Sequence, residues 1–264
     1  MAAKTVIKIE PMRVPGTLGR IFLGVAITAF GVLYLLYAHM ANPHVIGPPF
    51  FPEHRLLAWV MGAIFFAAGA GIAAGKGTRL MAALAGSALL AQIVIIHAPR
   101  LAMNLHDPGP WTSGFEVVGI CSGAWALASG LLPVTAQRKL LMGLRIGFGS
   151  LLVVVGVQHF MYAQFVATLV QRWMPWHLFW AYFVGVAFFA TALALVTGKV
   201  VRLATAMLGL MFFLFVTTLH IPRVAAASHN GNEWTSLFVA LAMCGTSWIF
   251  AADATSRGEL RRTA

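Results

Sequence analysis

The sequence predicts an all-α membrane protein whose eight transmembrane helices form two parallel four-helix repeats with both chain ends in the cytoplasm. Three observations lead there. The first is composition: 60% of the 264 residues are hydrophobic and 9% charged, with a mean hydropathy of +0.84, against roughly a quarter charged in an ordinary soluble domain. The second is eight apolar stretches, each near the 20 or so helical residues that cross a hydrocarbon core. The third is self-similarity, since residues 52–128 align without a gap on residues 175–251.

The first stretch, 21–41, follows Lys4, Lys8, Arg13 and Arg20. A basic start before an apolar run also marks secretory signals, but this run is longer than a signal core and seven more follow, so it reads as a retained helix. The second and third stretches, 56–75 and 80–98, meet at Gly75-Lys76-Gly77-Thr78. That tetrapeptide lacks the spacing and flanking strand of a phosphate loop and reads as a basic turn. The fourth, 115–134, closes the first half, and 146–168, 176–197, 203–221 and 235–252 make the second. The domain organisation is thus a basic N-terminal segment at 1–19, one repeat at 20–134, another at 135–252 and a basic tail at 253–264. Barrel strands would alternate over about ten residues, whereas these runs are twice as long and continuously apolar.

With both ends placed inside, fourteen of the eighteen Lys and Arg residues are cytoplasmic, and only Arg55, Arg100, Arg172 and Arg223 are outside. That is the positive-inside pattern. A multi-pass protein of a bacterial inner membrane, in contact with the lipid bilayer, follows. The net charge of +11 then calls for no nucleic-acid partner. The repeat pairs Pro52 with Pro175, His54 with His177, His97-Ala98-Pro99-Arg100 with His220-Ile221-Pro222-Arg223, His106 with His229, Trp111-Thr112-Ser113 with Trp234-Thr235-Ser236 and Cys121 with Cys244, all at an offset of 123. The first helices align at 125, through Arg20/Arg145 and Gly31/Gly156. Four helices per half return the chain to its starting side, so the halves share one orientation about an axis along the membrane normal.

All nine histidines fall in outer loops or outer helix halves: His39, His44, His54, His97, His106, His159, His177, His220 and His229. The candidate site is therefore on the outer side. His97 lies 18 residues beyond Arg79, about 27 Å along its helix, and the following proline is expected to end that helix and present Arg100 to the outer mouth. His220 and Arg223 repeat the arrangement, with Trp111 and Trp234 nearby in sequence. Two readings stay open. These residues bind an anionic or quinone-like oxygen group by charge-assisted hydrogen bonds, or the arginines are interfacial anchors paired with Glu116 or Glu233. His159 stands 14 residues after Arg145, about 21 Å along its helix, where a titratable side chain usually faces the bundle interior. It is the candidate proton acceptor, with a neighbour-satisfied structural histidine as the alternative; Tyr34 is its repeat mate, and Gln92, Gln158 and Gln164 are possible partners.

Bis-histidine haem needs two imidazoles at one depth, and His97 with His220 meets that condition alone. A metal has only the dispersed His54, His106, His177 and His229 to draw on, without a compact ligand spacing. Cys121 and Cys244 read as small packing residues duplicated with the repeat.

Several blocks of the second half resemble the DoxX-like family of four-helix bacterial membrane proteins: Arg145-Ile-Gly-Phe-Gly, His159-Phe160, Trp173-Met-Pro-Trp-His177, Phe179-Trp-Ala-Tyr-Phe-Val-Gly185, Thr197-Gly-Lys199, Arg202-Leu-Ala204 and His220-Ile-Pro-Arg223. The likeness spans about 110 residues, and the first half keeps fewer of the blocks, with Tyr34 in place of His159. The family takes its name from a subunit of thiosulfate:quinone oxidoreductase. The resemblance implies a tandem DoxX-like bundle, with a role as membrane subunit of a redox or respiratory system, quinone as possible cofactor and redox subunits as partners. The alternative is a non-catalytic scaffold or small-solute carrier.

Overall fold

The computed structural model describes residues 14–37 and 55–263, and these form helices with no strand among them. Helix α1 is Val14–Tyr37, α2 Arg55–Ala74 and α3 Thr78–Gln92. A π turn, Ile93–His97, carries α3 into α4, Ala98–Met103. Then come α5, Pro108–Ala128, α6, Val134–Met161, and α7, Ala163–Leu169. The last elements are α8, His177–Thr197, α9, Val201–Phe215, a second π turn, Val216–His220, α10, Ile221–Ala226, and α11, Gly231–Thr263. Among the described residues, eight stretches are long and apolar enough to cross a membrane, so the chain is a multi-pass membrane protein. His39, His44 and His54, named above, lie outside the described residues.

Two expectations need correction. The third and seventh spans do not end at Pro99 and Pro222 but run to Met103 and Ala226. A proline has no N–H and its ring crowds the carbonyl four residues back. The π turns accommodate this by widening the helix, with the Ala98 amide bonded to Ile93 O and the Ile221 amide to Val216 O, five residues back. Pro222 leaves Thr218 O without its usual partner, and the Gln171 side chain donates to that oxygen from the segment after α7. The fourth and eighth spans start earlier than their apolar runs, at Pro108 and Gly231. Asp107 caps the Gly109 amide at 2.9 Å, with proline in the first turn, and Asn230 caps the Asn232 amide at 3.0 Å. Such caps satisfy amides that have no partner within the helix.

Consecutive spans pack as neighbours, and α11 returns to α1, closing a ring in which α5 and α11 also touch across the middle. Consequently α1 rests on α11 rather than on α5, while α6 rests on α5. The fourth and eighth spans are the most enclosed, with 61% of each buried. Glycine permits close approaches: a Cβ on Gly245 would stand 2.7 Å from Gly19 O, and one on Gly209 2.3 Å from the Trp248 ring. At the chain-end face, Gly75 and Gly198 turn the chain with φ of +74° and +71°, values that favour glycine. Arg20 donates to Ile72 O and to Ala73 O, satisfying the end of α2. Arg145 pairs with Asp253 at 2.9 Å.

Candidate functional site

The face opposite the chain ends holds a cavity of about 720 Å³ between α5, α6, α7, α9 and α11, a size in the range of small-molecule sites. Its walls are largely apolar and include Leu151, Phe165, Phe188, Phe212, Phe215 and Met243. The polar groups reaching it include Thr112 and Glu116 from α5, Gln158 and His159 from α6, and His220 from the second π turn. The π turn places His220 there: it adds a residue to the turn ahead of Pro222 and so rotates the histidine relative to an unbroken helix.

His159 Nδ1 lies 2.7 Å from Val155 O, and its ring meets Phe188 edge-on at 5.1 Å. Gln158 is held at both ends by α5, accepting from Thr112 Oγ1 at 2.9 Å and donating to Pro108 O at 3.2 Å. Glu116 has no hydrogen bond or ion pair among the described residues. It sits eight residues into its helix, about 12 Å from the start.

The residues expected to act together are divided. His159 and His220 share the cavity, whereas His97, Arg100, Arg223, Trp111 and Trp234 do not line it. His97 is 7% exposed, with both ring nitrogens unpartnered, and its Cβ lies 3.6 Å from the place a Cβ on Gly114 would take. Earlier on the same span, Gln92 donates to the Tyr34 hydroxyl at 2.6 Å. Arg223 is engaged by Glu233 through two bonds of 2.8 and 2.7 Å, as in the anchoring reading. Pro110 occupies the repeat position of Glu233, and Arg100 makes no ion pair among the described residues.

The tryptophans lock loops. Trp111 Nε1 donates to Leu105 O at 3.0 Å while its ring stacks on Phe115 at 5.8 Å; Trp234 Nε1 donates to Ser228 O at 2.9 Å and stacks on Phe238 at 6.0 Å. His106 and His229 are exposed, His177 is half-buried, and none belongs to a metal-sized group of His, Cys, Asp or Glu among the described residues. Cys121 and Cys244 are buried and free.

Glu116 was visible in the sequence only as a possible partner of Arg100. A stronger signal was present: it is an acidic residue inside an apolar run, and its repeat mate is Val239. An intramembrane ionisable side chain is costly and marks a site by default. Because the Arg223 side chain is 45% exposed, Arg223→Gln should lower stability by no more than about 1 kcal/mol and leave ligand binding in the cavity unchanged. Melting and binding measured on one preparation check both. Comparison with known proteins finds no family model, no curated protein and no solved structure that matches this chain.

Proposed function

We propose that this protein is the membrane subunit of a redox system of the bacterial inner membrane and that a lipid-soluble, quinone-type molecule occupies the 720 Å³ cavity. The observation that carries the reading is one apolar, aromatic-walled cavity holding a carboxyl and two imidazoles at one end of a membrane bundle. Such a ligand needs an apolar enclosure for its ring and tail and a few polar groups for its oxygens. His159 is the proton acceptor and His220 a second polar contact. The cation distribution supports cytoplasmic termini, which puts the cavity toward the outer face. Two parallel four-helix repeats are supported by features recurring 123 residues apart: the π turns ending at His97 and His220, the Asp107 and Asn230 caps, and the Trp111 and Trp234 locks. The resemblance of the second half to DoxX-like proteins favours the same redox role.

With Glu116 in the cavity and no Lys or Arg among the described residues that line it, an anionic ligand is disfavoured by charge. The test is to purify the protein in mild detergent, extract it and identify the co-purifying lipids. Quinone or hydroquinone approaching one per chain is the expected result, and His159→Phe should lower that occupancy at least about tenfold, a site hydrogen bond being lost. No bound quinone-type molecule and no uptake of added quinone or hydroquinone would overturn the reading. The surviving interpretation would then be a scaffold or carrier, which the Arg223–Glu233 pair and the two loop-locking tryptophans favour.

A further inference from the structure

We infer that the cavity recognises its ligand as a hydrogen-bond donor, binding a hydroquinone or a related lipid-soluble phenol in preference to the corresponding quinone. This rests on the quinone-type reading above and adds to it which oxidation state is held.

The argument is the polarity of the hydrogen-bonding groups left open inside. His159 Nδ1 faces Val155 O at 2.7 Å. A carbonyl oxygen has no hydrogen to give, so Nδ1 carries the proton and the neutral ring offers a lone pair at Nε2. Glu116 has no partner among the described residues, and in either protonation state its carboxyl keeps at least one accepting oxygen. Several of the donors nearby, those of Gln158, Thr112 and Thr235, are already committed. Gln158 Nε2 donates to Pro108 O at 3.2 Å, Thr112 Oγ1 shares its hydrogen between Pro108 O at 3.0 Å and Gln158 Oε1 at 2.9 Å, and Thr235 Oγ1 donates to Gly231 O at 2.9 Å. Tyr162, Asn232 and Ser236 line the cavity from exposed positions. The tautomer of His220, whose Nδ1 is buried without a partner, is free to serve either kind of ligand. Glu116 and His159 therefore both present lone pairs to the ligand.

A quinone brings two carbonyl oxygens, which only accept. Set against the His159 Nε2 lone pair, acceptor meets acceptor, as it does at Glu116 when that carboxyl is ionised, and those polar groups stay unsatisfied. A hydroquinone brings two O–H groups and satisfies both. A site built to hydrogen-bond a ligand hydroxyl rejects the analogue without it, because a desolvated, unpaired polar group is costly.

The test uses the full chain in lipid nanodiscs under anaerobic conditions, with decylubiquinone and its dithionite-reduced hydroquinone as probes. Ligand retained above the background of empty nanodiscs gives the two dissociation constants. Hydroquinone should bind at least about tenfold tighter. In Glu116→Gln, whose amide can donate to a quinone oxygen, that ratio should narrow at least about threefold through improved quinone binding. Equal binding, or tighter quinone binding, by the wild-type protein overturns the inference and leaves the ligand reading standing. Failure of both probes to bind overturns the ligand reading as well. Should Glu116→Gln not fold, the wild-type ratio alone decides.

Discussion

Gly69→Leu should remove most of the folded protein. At this position a Cβ would stand 2.3 Å from the Thr28 amide nitrogen, and across the same α1–α2 interface a Cβ on Gly24 would stand 2.5 Å from Ala73 N and one on Gly31 2.4 Å from Phe66 N. These are backbone atoms, which cannot swing aside as a side chain can. The helices would have to separate, losing the close backbone packing that holds membrane helices together where lipid offers no hydrophobic drive. Overpacking of ordinary cores costs about 1–3 kcal/mol, and a rigid backbone contact should lie at or above the top of that range. Fluorescence-detected size exclusion and melting in detergent should show a collapse in yield. The control is Gly143→Ala, with nothing within 4 Å of the new Cβ, expected to be neutral or stabilising by up to about 1 kcal/mol through helix propensity. Wild-type melting in Gly69→Leu would mean that α1 and α2 are not in backbone contact.

The second large effect is expected at Asp253. Its carboxylate lies 2.9 Å from Arg145 Nη2, and the two side chains are only 15% and 20% exposed. Arg145 Nε is already buried without a partner, so the guanidinium depends heavily on that carboxylate. Asp253→Leu would strand the cation near the end of the spans, and breaking one side of a buried pair costs about 3–5 kcal/mol. Replacing both, as Arg145→Met with Asp253→Leu, should restore most of the loss, since apolar substitutes for a buried pair are often neutral or better. A thermal double-mutant cycle measures this; additive losses would show that the pair is not coupled.

What the sequence revealed follows from what each signal measures. Apolar run length reports the hydrocarbon thickness, which is why all eight spans were legible. Run length says nothing about backbone polar groups, so it missed helix starts decided by Asp107 and Asn230, although an Asp-Pro-Gly start was there to read. It also missed the π turns, because a proline rule written for an α-helix ignores the option of a wider turn. Pairing Arg223 with Glu233 was among the open readings, since they are ten residues apart around one loop. Glu116 facing a cavity with His159 and His220 was not foreseen, because it depends on which faces of α5, α6 and the end of α9 turn toward one another. Sequence periodicity is weak on that point in helices that are apolar nearly all round.

The return of α11 to α1 has a consequence for how the protein holds together as a chain. Cut near Pro133, the first segment would carry α1 without α11, and the second would carry α6 without α5, so each fragment would expose the seat of a helix belonging to the other. Covalent continuity turns what would be a bimolecular encounter into an internal one at high effective concentration. The first and last helices therefore act as a clasp that joins the two ends of the chain.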